Sequence, residues 1–189
     1  LKSKNSDDRL IPTTVPSTIS PSLYGLSIDC ESRVCCINSN IPGRVMIVKA
    51  FRIWYDRDMQ IVWKGHACFF ITASMEKHSQ VKIVFDPYDE SIGLKLPSME
   101  ADLVLVSHDH SDHNNAKAIK GNPFIASSPG EYEVKGVFVK GIPSFHDNSN
   151  GKERGRNTIY IVDAEDMRLC HLGDLGQSEL TSEQVDQIG

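Results

Sequence analysis

The chain has 189 residues, 40% hydrophobic and 24% charged, with a net charge of −5 and a pI near 5.8. That is the make-up of an ordinary globular domain, or of one domain with an appendage. The acidic balance argues against a protein held to nucleic acid by a general basic field. No apolar run reaches the ~18 residues of a membrane span, and no basic-then-apolar leader is visible. Five cysteines are an odd, sparse set that fits a reducing, cytoplasmic setting better than a disulfide framework.

The average hides two unlike parts. Residues 1–58 hold 8 Lys/Arg and 6 Asp/Glu, a balance of +2, whereas residues 59–189 hold 12 and 19, a balance of −7. In chain order, residues 11–22 contain nine Ser, Thr or Pro in twelve positions and read as loop or disorder. Cys30, Cys35 and Cys36 follow, but residues 1–58 contain no histidine to complete a metal site, so these three read as unstructured thiols. Residues 45–55 are apolar enough for a short helix or strand, with no evident partner. Met59 opens the first well-patterned segment and is expected to be the true start, making 1–58 a poorly ordered or unrelated extension. An intact N-terminal peptide in the native protein, found by mass spectrometry, would refute that.

From residue 59 the pattern is mostly strands. Residues 60–64 and 68–73 flank Gly65-His66 as a hairpin, and 81–85 form a third strand ended by Asp86-Pro87. Residues 101–107 are a nearly continuous apolar run, the mark of a strand buried on both faces. A short helix is expected over 114–120, then strands over 123–126, 132–134 and 137–140, punctuated by Gly121, Gly130, Gly136 and Gly141. Another strand pair is expected over 158–162 and 168–172, and a helix over 181–188 with Thr181 or Ser182 as its N-cap. Cys68 and Cys170 fall inside apolar strands and read as small core residues.

The chemistry concentrates in one loop. Ser107-His108-Asp109-His110-Ser111-Asp112-His113 follows directly on the buried strand and packs three His and two Asp into six residues. Rigid strand ends carry sites well, because the loop can turn its side chains inward. In a tight turn His108 and His110 face one position, while Asp112 and His113 reach a second. So many titratable groups repel or desolvate one another unless a cation organises them, and imidazole nitrogen with carboxylate oxygen suits zinc, iron or manganese.

His108-x-His110-x-Asp112-His113 after an apolar strand resembles the H-x-H-x-D-H signature of the metallo-β-lactamase superfamily. Several further marks resemble its zinc-dependent hydrolase branch with the ascorbate-6-phosphate lactonase-like proteins. They are Trp63-Lys64-Gly65-His66-Ala67-Cys68, Asp86-Pro87, Gly130-Glu131-Tyr132-Glu133, Arg154-Gly155-x-Asn157-Thr158 and His171-Leu172-Gly173-Asp174. The resemblance runs from Met59 to the last residue. It implies an α/β fold, the αββα sandwich of that superfamily, and two divalent metal ions, zinc first and manganese or iron as alternatives. The first ion would be held by His108, His110 and a later histidine, for which His146 fits, after a strand and a Gly-Ile-Pro turn. Asp112 and His113 would hold the second. Asp174 would bridge the two, and Asp112 would also orient the nucleophile and shuttle its proton. Asp86 resembles the family's buried carboxylate behind the loop. His66 and His171 read as orienting or structural histidines rather than ligands.

The implied reaction is attack by a metal-bound hydroxide on a small ester, lactone or phosphoester, with Arg154 and Arg156 available to an anionic group. Two other readings stand beside it: a nucleic-acid phosphodiesterase of the same superfamily, which the acidic balance disfavours, and a non-catalytic metal-binding fragment. The family's second metal normally takes a further histidine near the C-terminus, and no histidine follows His171. Residues 59–189 therefore read as the N-terminal half to two thirds of a sandwich, with an exposed sheet face that favours pairing between copies.

Overall fold

The computed structural model describes residues 28–29, 34–37, 59–75, 79–165 and 167–189. The loop expected at 11–22, Cys30 and the apolar stretch 45–55 lie outside the described residues. Among the described residues, eleven strands fall into two sheets. The first is built from β3 (Gln60–Gly65), β4 (Cys68–Ser74), β5 (Gln80–Phe85), β6 (Leu103–Leu105) and β7 (Phe124–Ala126), in that spatial order. β3, β4 and β5 pair antiparallel, and β6 and β7 then add in parallel. The second sheet runs β1 (Ile28–Asp29), β2 (Val34–Ile37), β11 (Met167–His171), β10 (Arg156–Ala164), β9 (Val137–Phe145) and β8 (Gly130–Val134). β2, which carries Cys35 and Cys36, lies parallel to β11.

The sheets face each other across one core. Phe69, Ile71, Ile83, Phe85, Leu103 and Leu105 from the first sheet meet Val137, Val139, Tyr160, Val162 and Leu169 from the second. β6 is buried at every position, as its unbroken apolar run demands, because its other face lies under Tyr88, Met99, Ala116 and Ile119. The outer face of the second sheet packs Ile142, Ile159, Ile161 and Cys170 against Ile188. Ile188 ends α1 (Ser182–Ile188), whose N-cap is Thr181 in a full capping box with Gln184. These two outer clusters are covered, so the bare sheet face expected from the sequence is not found there.

Two expectations about local structure are corrected. The helix over 114–120 is only a 3₁₀ turn at Ala116–Ala118. Asn115 makes no side-chain cap, and its N–H goes to Pro87 O, while Lys120 N–H goes to Met99 O and Lys120 bridges Glu100. Tertiary bonds at both ends pull the segment open before an α-helical nucleus can form. The Gly-Ile-Pro turn after residue 140 does not exist either: β9 runs straight through Gly141, Ile142 and Pro143. β8 begins opposite Gly141, with Gly130 as its first residue, so Pro143 sits where β9 has an open edge, the place a strand residue without an N–H fits. Gly141 is needed there because a Cβ would lie 3.0 Å from Ser128 O and 3.1 Å from Thr158 Cγ2.

Candidate metal centre

Five chain segments end at the same end of the sandwich: the β3–β4 hairpin, the ends of β5, β6 and β9, and the turn after β11. The loop after β6 folds back on itself through bonds from His113 N and Asn114 N to His110 O, both 2.9 Å. Thr158 N–H donates to Ser107 O at 2.8 Å and Tyr160 Oη donates to Val106 O at 3.1 Å, which ties this loop to the second sheet. Asp109 points away and accepts from Asn114 Nδ2 at 2.6 Å.

His108, His110 and His146 come together, with ring centroids 4.6, 4.7 and 5.0 Å apart in the three pairs. His146 follows β9 and is held by the next loop, where the Asp147 carboxylate accepts the backbone N–H groups of Ser149, Gly151, Glu153 and Arg154. Asp112 and His113 form a second group, joined by His66 from the hairpin tip. Asp174 lies between the groups, with Oδ2 3.2 Å from His146 Nε2 and Oδ1 3.4 Å from His113 Nε2. His108, His113 and Asp174 make a third, bridging cluster, and in each of the three the ligand atoms lie within 4.8 Å of one another. A tetrahedral zinc site with bonds of about 2.1 Å places its ligands about 3.4 Å apart, so small side-chain shifts suffice.

Behind these groups sits Asp86, fully buried. It accepts from Ser107 N and Ser107 Oγ at 2.7 Å, from His171 Nε2 at 2.9 Å and from His113 Nδ1 at 3.0 Å. Burial works against its charge, but the His171 charge and the bonds from His113 and His171 hold the carboxyl well below its ordinary range. Its backbone is left-handed, with φ 40°, a conformation Asp tolerates better than bulkier residues.

These bonds assign tautomers. Ser107 Oγ gives its only proton to Asp86, so it accepts from His108 Nδ1–H at 2.9 Å. That leaves His108 Nε2 as a bare acceptor, buried and with no hydrogen-bond partner among the described residues. Asp174 Oδ1 is buried without a hydrogen-bond partner as well, although it faces His113. Two orphaned buried electron-pair donors facing one space are what a cation would satisfy. Burial and the His113 charge push His108 down to about 4, so its lone pair is free at neutral pH. His113 is the opposite case. Burial disfavours its charge, but the close Asp174 carboxylate, the bond to Asp86 and the charges of both raise it to about 10. Burial likewise opposes Asp174, while the His113 contact and the nearby histidine charges hold it at about 2. The pocket thus demands one positive charge beside His113, which a proton or a metal ion can supply.

Every site residue expected from the sequence (His108, His110, Asp112, His113, His146 and Asp174) lies in this constellation. His171 and Asp86 form the bonded support. Arg154 and Arg156 are both exposed. Sequence reasoning left His66 outside the ligand set and gave Asn157 no role. Asn157, buried at the start of β10, donates to Ser144 Oγ and Leu172 O and accepts from Asp174 N at 3.1 Å. It fixes the turn at Gly173, where φ is 57° and any Cβ would collide with Asn157 Oδ1 and Ser107. The sequence signal for Asn157 was a polar residue opening an apolar strand.

This two-sheet fold with a histidine–aspartate cluster at one end defines a superfamily. Residues 60–189 match the family described as the β-lactamase superfamily domain, and the chain belongs to it. Among its relatives, a UPF0173 metal-dependent hydrolase of Pyrococcus horikoshii is 28% identical, over 61% of each chain. Another from Thermoplasma acidophilum is 30% identical, over 63% of this chain and 62% of its own. A solved structure from Thermotoga maritima, proposed to be a Zn-dependent hydrolase of the metallo-β-lactamase superfamily, is 39% identical with a TM-score of 0.53. It covers 69% of this chain and 57% of its own. The chain spans about 60% of the length of the curated relatives it matches.

Proposed function

We propose that the chain carries the metal centre of a hydrolase acting on small ester, lactone or phosphoester substrates. One observation carries the reading: Asp174 turns one carboxylate oxygen toward each of two histidine-rich groups. His108, His110 and His146 would hold one divalent cation, Asp112 and His113 a second, with Asp174 between them. The imidazole and carboxylate donors suit zinc, the metal named for the Thermotoga maritima relative. When bound, such ions supply Lewis acidity, acidifying water and polarising the group to be cleaved.

The chain's own residues do the rest. Asp86 fixes His113 directly and His108 through Ser107, so both imidazoles keep Nε2 free. Asp112 is the most open carboxylate of the group, with a side chain 33% exposed against 9% for Asp174. Burial opposes its charge, but His113, backbone and His66 contacts hold it below its usual range, so it is ionised at neutral pH. Asp112 is thereby placed to take a proton from the attacking water and return it to the leaving group. His110 and Asp112, both open to solvent, mark the side from which a substrate approaches. The net charge of −5 favours a small substrate over a nucleic-acid backbone.

The test is turnover of a panel of phosphorylated lactones, carboxylic esters and phosphodiesters by the zinc-loaded chain. Hydrolysis of a lactone or ester, abolished in Asp112→Asn, supports the reading. Turnover confined to RNA or DNA would replace it with the phosphodiesterase. Retained metal with no turnover on any of them would leave a binding module.

A further inference from the structure

We propose that His66 is a protein ligand of the second cation position, sharing it with Asp112 and His113. The assignment rests on the metal-centre reading above and goes beyond it, because the loop signature contains no residue near 66. His66 Nε2 lies 3.1 Å from Asp112 Oδ2 and 3.2 Å from His113 Nε2. His113 Nδ1–H is committed to Asp86, so His113 turns its other nitrogen toward His66. The three atoms form a triangle of two imidazole nitrogens and one carboxylate oxygen. A single proton on either ring serves one edge of that triangle, whereas one cation serves all three lone pairs.

The hairpin is built to keep the ring there. A bulge between Trp63 and Gly65 ends the regular β3–β4 register one turn before the tip. His66 itself is left-handed, with φ 49°, a cost that a histidine meets only where its surroundings hold it. They do: Trp63 Nε1 donates to His66 O and Tyr88 Oη donates to Lys64 O, both at 2.8 Å. The His66 and His113 rings meet edge-on, with centroids 4.8 Å apart. The His66 side chain is 27% exposed, which leaves the second position open to solvent on that side.

The experiment is Co(II) titration of the full chain, followed by visible absorption, for wild type, His66→Asn and His66→Gly. Both replacements accept a left-handed backbone, so the hairpin is preserved. Equal melting temperatures in chelator verify that. The expected result is two equivalents in wild type, with the second bound at least about tenfold more weakly in both variants. The d–d bands of that second equivalent should also change intensity and position, which a residue merely orienting Asp112 from outside would not cause. Two equivalents bound in both variants with wild-type affinity and spectrum would overturn the role of His66 alone. Wild type binding no Co(II) would overturn the metal-centre reading itself, and wild type binding only one would overturn the second position.

Discussion

Asp86→Asn is the sharpest single perturbation of the site, because it changes one atom and keeps volume. Asn also tolerates the left-handed backbone at residue 86, so strain is not introduced. The carboxylate accepts four hydrogen bonds, three of them on Oδ2: Ser107 Oγ, His113 Nδ1 and His171 Nε2. In the variant the amide oxygen keeps Ser107 N–H, while the amide NH₂ faces three donors it cannot accept. Leaving a buried group unpaired costs about 1–3 kcal/mol each, and breaking a buried charge arrangement from one side costs about 3–5 kcal/mol in all. At roughly 2–4 °C per kcal/mol for a domain of this size, melting in chelator should fall by about 10 °C. Losing the orienting bond to His113, and through Ser107 to His108, should weaken zinc binding by about 10–100-fold. Calorimetry in chelator and competition with a chromophoric chelator measure the two effects. Melting within about 2 °C of wild type, together with an unchanged zinc affinity, would refute the claim that Asp86 organises the centre.

Three other outcomes are expected. His110→Ala should lose one equivalent of zinc by elemental analysis yet melt within about 0.5 kcal/mol of wild type in chelator, because His110 is exposed. Gly173→Ala should cost about 1–3 kcal/mol and weaken metal binding, since its Cβ would displace Asn157 and Ser107 and so move Asp174; chelator melts and zinc competition check both. The pH dependence follows from His113 and Asp174, which share one interaction, and from His108. His113 is raised from 6.5 to about 10, so its contribution is complete below 6.5 and lost as pH rises through 10. Asp174 is lowered from 3.8 to about 2, so its contribution is present above 3.8 and lost as pH falls through 2. His108, lowered from 6.5 to about 4, contributes fully only above 6.5 and loses its contribution as pH falls through 4, so chelator-treated protein should melt highest near pH 6.5, whereas zinc affinity should rise with pH up to about 10, because the metal displaces the His113 proton.

What was legible in the sequence was local and dense. The loop from His108 to His113 declared itself by composition, β6 by its unbroken apolar run and α1 by its N-cap candidates Thr181 and Ser182. What was not legible depended on contacts across the fold. The ring of His66 reaches Asp112 over 46 positions of sequence, and only the pairing of β3, β4 and β5 brings them together. Asn157 acts on Asp174 from the neighbouring strand. Pro143 read as a turn residue because proline usually breaks strands, but an open edge removes the objection. Residues 114–120 read as a short helix, but tertiary bonds from Asn115 to Pro87 and from Lys120 to Met99 outweighed that propensity. The candidate residues themselves were found from the H-x-H-x-D-H spacing and its resemblance. The support that fixes their tautomers needed coordinates.

The most direct test of the account is metal stoichiometry, measured by elemental mass spectrometry on the purified chain after zinc loading and desalting. About two ions per chain are expected, one position built on the His108, His110 and His146 imidazoles and one on Asp112 and His113. A folded chain that retains none would contradict it, and the bonds converging on Asp86 would then have to be read as structural alone.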